Sequence, residues 1–215
     1  MERQIYCFWS GPNPLTPARQ TNLAQLASVS ECEVVLVTQD TLPSYILPEA
    51  PLHPAYLYLS YTHRADYLRT YFMHFHGGGY SDIKATTGPW TEAFNLIVSD
   101  DDVWIVGYEE IEGGVGYAPY AEHWRHMIGN GAYICKPRTP LTTAWYTSMI
   151  QLLDTKLEQL RLHPARHPQD QYGLWGSQYP LEWTEMLGRI FHRVSYDHKE
   201  HVRSVLPISI FRDYR

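Results

Sequence analysis

Two carboxylates, a guanidinium and an ammonium fall within residues 66–84 of this 215-residue chain. The segment from Thr62 reads THRADYLRTYFMHFHGGGYSDIK. Asp66 and Arg69 are three residues apart, the spacing of neighbours on one helix face. Asp82 follows Asp66 by sixteen residues, after Gly77-Gly78-Gly79, and Lys84 lies two beyond it. A helix, a glycine stop and a carboxylate at the end of a short strand would bring Asp66, Arg69 and Asp82 around one crevice. That crevice belongs at the carboxyl ends of the strands, where α/β sheets bind ligands. Carboxylates accept hydrogen bonds from sugar hydroxyls, and Arg forks onto phosphate. Each feature alone is ordinary: Asp66 and Arg69 could be a surface ion pair worth about 0.2–0.5 kcal/mol. Only their conjunction carries an argument.

The elements that must position these groups follow from periodicity and breakers. Gln4–Trp9 is an apolar strand that ends at Ser10-Gly11-Pro12-Asn13-Pro14. Thr16-Pro17 opens a helix, and Glu33–Thr38 is a β-branched run suited to a buried parallel strand. Strand, helix, strand within 40 residues is a βαβ unit and predicts an α/β fold. Residues 41–61 are irregular. A helix is expected over 62–76, with Tyr67, Leu68, Tyr71, Phe72 and Phe75 on its apolar face. Strands are expected over 80–83, 103–106 and 132–135. Helices are expected over 89–98, 141–162 and 181–191, with polar loops over 112–120 and 161–178.

Composition bounds the function. With 44% hydrophobic and 19% charged residues the chain can bury a core. A net charge of -6 argues against nucleic acid as a partner. No stretch reaches the ~18 apolar residues of a membrane span. Three cysteines without a C-x-x-C fit a reducing compartment, so a cytoplasmic location is expected. The pairs His74/His76, His123/His126 and His163/His167 have possible zinc spacings, but hydrogen-bonded or solvated histidines are the preferred reading.

Residues 65–84, A-D-Y-L-R-T-Y-F-M-H-F-H-G-G-G-Y-S-D-I-K, resemble the core of the GT-A glycosyltransferases with a DXD-type sugar-binding region. Among these are the yeast-type α-mannosyltransferases, capsular-polysaccharide transferases and clostridial glucosylating toxins. Their signature runs S-D-x-x-R-x-x-x-L, a spacer, then G-G-x-Y-x-D-x-D. They open with a strand ending F-x-W-x-G, of which Cys7-Phe8-Trp9-Ser10-Gly11 is read as the counterpart. A weaker likeness, to short single-domain transferases of large algal viruses, rests on S-D-I-K and Y-P-L-E-W-T-E-M-L-G. The resemblance covers the first 106 residues and loosens beyond them. It implies one GT-A-like domain over 1–215 with a mixed, mainly parallel sheet flanked by helices. Residues 1–106 would be the donor half and 107–215 the acceptor half. The implied activity is transfer of a sugar from a nucleotide diphosphate sugar, UDP-linked by expectation, to a glycan or other hydroxyl acceptor.

The resemblance also assigns roles. Trp9 would stack on the base, Asp66 would meet ribose or sugar hydroxyls, and Arg69 the sugar or diphosphate. Asp82 would lie beside the diphosphate and hold Mn²⁺ or Mg²⁺. Phe8, Gly78, Asn130 and Gly131 complete the expected donor-binding set. At Asn130-Gly131 a backbone can approach a sugar closely. Lys84 stands where the families have the second Asp, a direct metal ligand. Either Lys84 points away and the metal is retained, or its ammonium replaces the ion and neutralises the leaving diphosphate. The retained metal is the expectation here, with Asp100, Asp101, Asp102, His198 or His201 as further ligands. Asp170 and Glu185 are the candidate bases for the acceptor hydroxyl; Asp170 also reads as a helix cap and Glu185 as an exposed helical Glu. Trp183, flanked by Glu182 and Glu185, could line a sugar site. Lys84 also motivates an alternative, a non-catalytic carbohydrate-binding protein on the same fold.

Overall fold

The structure, a computed structural model, describes residues 1–212. It is an α/β fold around a six-stranded sheet of order β2-β1-β3-β5-β4-β6. The strands are β1 (Gln4–Trp9), β2 (Glu33–Thr38), β3 (Gly78–Ser81), β4 (Ile105–Glu109), β5 (Ile128–Cys135) and β6 (Val202–Arg203). Pairings β1–β2, β1–β3 and β4–β6 are parallel, whereas β5 runs antiparallel to both β3 and β4. The sheet is therefore mixed and mostly parallel. The boundary drawn at residue 106 falls inside β4, so both halves of the chain share one sheet.

Alternation along the strands builds two cores. Tyr6 and Phe8 of β1, Tyr80 of β3, and Tyr133 and Cys135 of β5 face one layer. That layer is α2 (Tyr61–Phe75), α4 (Pro140–Leu162) and α5 (Gly188–Asp197). Ile5 and Cys7, Val106, and Ala132 and Ile134 face the other. There α1 (Pro17–Ser30) and α3 (Thr91–Ser99) contribute Leu26, Phe94 and Ile97. The period of two is what puts consecutive apolar residues into opposite cores.

The helices start where their caps dictate. Thr16, Ser60 and Thr139 each accept a backbone N–H from the first turn of α1, α2 and α4, and Pro17 and Pro140 follow two of them. In α2 the expected face is buried at Tyr67, Leu68, Tyr71 and Phe72, while Phe75 is half-buried. Beyond its C-cap at His76, Gly77 and Gly78 take φ of 69° and 86°, a backbone that side chains resist.

Several boundaries differ from expectation. β2 is an edge strand with only Val37 buried, not a fully buried one. β3 begins two residues early, on glycines, because β1 and the Trp90 ring press against Gly79. Asn130 and Gly131 lie within β5 rather than before it. The helix expected over 181–191 forms only from Gly188. Upstream, the Glu185 carboxylate accepts the Glu182 N–H at 3.0 Å and closes a turn instead.

The register of β4 against β5 shifts between Gly107 and Glu109, a bulge that carries Tyr108. A Cβ at Gly129 would stand 2.0 Å from the Tyr108 ring, and one at Gly131 3.1 Å from its hydroxyl. Gly129→Ala should therefore push Tyr108 out of place and lower stability by about 1–3 kcal/mol. Denaturant unfolding checks this, and an unchanged midpoint would contradict the close packing.

Candidate functional site

A cleft of about 600 Å³ opens at the carboxyl ends of β1 and β3. Its size suits a small-molecule ligand. One wall is Phe8 and Trp9 at the end of β1, Asp66 and Arg69 on α2, and Asp82 and Lys84 after β3. The lining also includes Pro168, Gln169, Trp183 and Thr184 from the C-terminal half. The Pro168 carbonyl accepts the Thr62 N–H at 3.1 Å, which ties that part of the lining to the start of α2.

Asp82 is the hub. Its Oδ2 accepts the Lys84 ammonium at 2.7 Å. Its Oδ1 accepts the Tyr80 hydroxyl at 2.6 Å and lies 3.3 Å from Arg69 Nη2. Arg69 Nη2 is also 3.2 Å from Asp66 Oδ1, and Nη1 donates to the Asn130 carbonyl at 2.9 Å. The guanidinium lies over the Tyr80 ring, 4.3 Å from its centroid. Its Nε–H is buried without a hydrogen-bond partner. Lys84 Nζ sits 4.4 Å from the centroid of Phe211, which the C-terminal segment brings in by pairing beside Ala85–Thr87. The Asp82 N–H donates to the Gly131 carbonyl at 2.8 Å. Gly131 matters because a Cβ there would lie 3.4 Å from Asp82 Oδ2.

The two carboxylates are tuned in opposite directions. Burial raises Asp66 to about 6; Arg69 pulls it down only in part, and the Asp82 charge pushes it up. Burial acts on Asp82 too, but Arg69, Lys84 and the Tyr80 hydroxyl outweigh it and hold that carboxyl below its ordinary range. Arg69 is held firmly charged: burial works against its charge, but the surrounding tyrosines and both aspartates more than restore it. The cleft thus sets three cations, Arg19, Arg69 and Lys84, against two acids, one of which has its pKa raised to about 6. That balance favours an anionic ligand.

Trp9 lies at the cleft edge, its indole N–H donating to the Asn13 carbonyl and the Arg19 guanidinium 5.0 Å from its ring centroid. Arg19 was not among the expected residues. Its signal was modest: it is the sole charge in α1, three residues into the helix that follows the Trp9 turn. Phe8 stacks on Tyr80 with centroids 5.7 Å apart and forms the floor.

Other expected residues lie elsewhere. Gly78 is at the opposite end of β3 from Asp82, where its φ completes the turn out of α2, and it does not line the cleft. Asp170 is buried outside the cleft lining, with Oδ2 accepting the Arg166 N–H at 2.8 Å. Glu185 faces away and pairs with Lys156 at 3.3 Å, while Glu182 pairs with Arg189. Of that segment, Trp183 and Thr184 reach the cleft.

The further metal ligands expected for Asp82 are remote. Asp100, Asp101 and Asp102 precede β4, which runs parallel to β3, so they sit at the other end of the sheet. There Lys136 donates to the Asp100 carbonyl, His201 donates to the Asp102 carbonyl, and His198 donates to Val194. Among the described residues no group of three or more His, Cys, Asp or Glu side chains could hold a metal ion. With both Asp82 oxygens engaged by cations or a phenol, this donor set does not fit a divalent ion, which asks for several oxygen ligands.

The fold is similar to that of a glycosyltransferase. The solved structure of the PaToxG glycosyltransferase superposes with a TM-score of 0.51 at 10% identity, covering 91% of this chain and 69% of that one. At that identity the likeness speaks for the fold. No family model matches the sequence. No curated protein matches it either. Among the described residues, no helix is long and apolar enough to cross a membrane.

The raised Asp66 has a measurable consequence. Its protonated form favours the folded state, so that contribution is complete below pH about 4 and lost as pH rises through about 6. Asp66→Asn should therefore gain stability relative to the parent as pH rises from 4 to 7, by about 2–3 kcal/mol. Parallel denaturant titrations across that range check it. A difference independent of pH would show that Asp66 titrates normally.

Proposed function

We propose that this protein transfers a glycosyl group from a nucleoside diphosphate sugar, with UDP as the base-diphosphate expected, to a hydroxyl of a glycan or similar acceptor. The observation that carries the proposal is the convergence of Trp9, Asp66, Arg69, Asp82 and Lys84 on one cleft at the carboxyl ends of β1 and β3. The likeness of fold to a solved glycosyltransferase supports it.

Each group has work to do in such a reaction. The Trp9 ring offers a face to a base. Asp66, beside Arg69, can accept a sugar hydroxyl. Arg69 and Lys84 supply positive charge where the bond between the anomeric carbon and the diphosphate oxygen breaks and its electron pair leaves with the diphosphate. The acceptor oxygen forms the new bond to the anomeric carbon as its proton passes to the departing diphosphate oxygen, which takes the place of a protein base. The donor-side groups come from residues 8–84, and Pro168, Gln169, Trp183 and Thr184 add a C-terminal contribution to the same cleft, which fits acceptor contacts from that half. Asp170 and Glu185 are held by Arg166 and Lys156, so neither is positioned to take the acceptor proton.

Incubation with a panel of UDP-, GDP-, CMP- and TDP-sugars, reading free nucleotide by chromatography, tests the proposal. One donor should be consumed, faster when the right acceptor is present. Binding of oligosaccharides with no binding of any nucleotide would overturn it and leave the carbohydrate-binding alternative. Trp9→Ala should weaken nucleotide binding by about 1–3 kcal/mol, the magnitude of base stacking on an aromatic ring. Calorimetric titration reads this directly, and unchanged affinity removes Trp9 from the site.

A further inference from the structure

We propose that Lys84, with Arg69, is the cation of this cleft, so that the nucleoside diphosphate is bound without a divalent metal. The inference rests on the glycosyl-transfer reading above and deepens it. Three observations carry it.

The first is occupancy of Asp82. In the resembling families the motif carries two acids; here the second is Lys84, and its ammonium lies 2.7 Å from Asp82 Oδ2. The other oxygen faces the Tyr80 hydroxyl at 2.6 Å and Arg69 at 3.3 Å. A metal entering here would displace one of these donors and then stand beside an ammonium and a guanidinium, both repelling it. The second is the lack of a ligand set. Asp66, the other acid lining the cleft among the described residues, is buried against Arg69. The acids and histidines that might have completed a coordination shell are at the far end of the sheet. Among the described residues no suitable cluster of three exists. The third is placement. Lys84 and Arg69 both line the cleft yet are 7% and 8% exposed, so their charges act in a partly dehydrated setting. There a fixed charge stabilises an anion more strongly than in water. Phe211 over the ammonium adds to that shielding.

The electrostatic logic is a substitution of like for like. A divalent ion held by two acids and a lysine held by one acid both present positive charge to a diphosphate. Lys84 remains covalently part of the protein, so its charge is present at every metal concentration. No bond of the sugar transfer changes: the diphosphate still leaves with the electron pair, and Lys84 and Arg69 neutralise it.

Calorimetric titration of the full chain with UDP and with GDP, once in EDTA and once in Mn²⁺, tests the proposal without any variant. Affinity for the bound nucleotide should agree within about twofold between the two conditions. Lys84→Met should lower it about 10–100-fold in EDTA, as expected for loss of a hydrogen bond between charged groups. Lys84→Asp, which restores a second acid, should bind the nucleotide only when Mn²⁺ is present. Circular dichroism confirms that each variant is folded. A direct readout comes from the electron paramagnetic resonance signal of free Mn²⁺: the parent with nucleotide should take up no more than nucleotide alone, and Lys84→Asp should take up more. A nucleotide that binds the parent only with Mn²⁺ overturns this proposal and leaves the transferase reading intact. So does a folded Lys84→Met protein with unchanged affinity in EDTA. Binding of neither nucleotide in either condition overturns both.

Discussion

One half-buried carboxylate organises the cleft. Asp82 accepts from Lys84 and Tyr80 and is ion-paired with Arg69, and its own N–H is held by the Gly131 carbonyl. An ionised carboxylate taken partly out of water is costly unless paired and hydrogen-bonded, and here both oxygens are engaged. The pairing then propagates. Arg69 serves Asp82, Asp66 and the Asn130 carbonyl together, so one guanidinium joins the middle of α2, the end of β3 and the body of β5. Removing any partner would strand charge at the junction of three elements.

The sheet makes this junction possible by bringing backbones unusually close. Gly131 leaves room for Asp82 and for the Tyr108 hydroxyl, and the β4 bulge swings Tyr108 over Gly129. Bulges of this kind re-aim side chains next to functional sites. The strand direction does the rest. β1 and β3 run parallel and end side by side, so Trp9 and Asp82 line one cleft although 73 positions apart in the chain. Residues immediately before a strand of this direction lie at the other end of the sheet. That is why Asp100, Asp101 and Asp102, suitable ligands by type, are out of reach.

Legibility in the sequence followed the range of the interaction. β1, β2 and the opening of α1 were readable to the residue, since a β-branched run or a Thr-Pro cap is a local signal. The grouping of Asp66, Arg69 and Asp82 was readable as well, because a helix repeat and a glycine stop constrain it. The edge position of β2 was not readable, since burial of a strand depends on its neighbours rather than its composition. Nor was the start of β3 on glycine, which answers to β1 and Trp90 across space. The periodicity of 181–191 suggested a helix, but side-chain bonds from Glu185 and Lys156 won over propensity. Glu185 and Asp170 were singled out by residue type alone, and type does not say which way a side chain faces. Arg19 reaches the cleft by stacking on Trp9, a contact that no motif encodes.

The opposite tuning of the two acids gives the cleft a division of labour. Asp82 stays ionised because three donors surround it, and so keeps Lys84 in place. Asp66, buried with one cation shared, has its pKa raised to about 6, so it accepts hydrogen bonds when ionised and can donate one when protonated. A sugar hydroxyl needs a partner of that kind, whereas a diphosphate needs a fixed positive field. In the proposed reaction the same Asp82 then competes with the diphosphate for the Lys84 ammonium. Before the donor arrives, the carboxylate holds the lysine and lowers the cost of its burial. Once the sugar has moved, the diphosphate carries more negative charge and must still depart, and no metal ion leaves with it. The carboxylate at 2.7 Å is the group able to reclaim the ammonium and loosen that product. An acid that would have been one half of a metal site thus becomes, beside a lysine, the counterweight that keeps binding of the leaving group reversible.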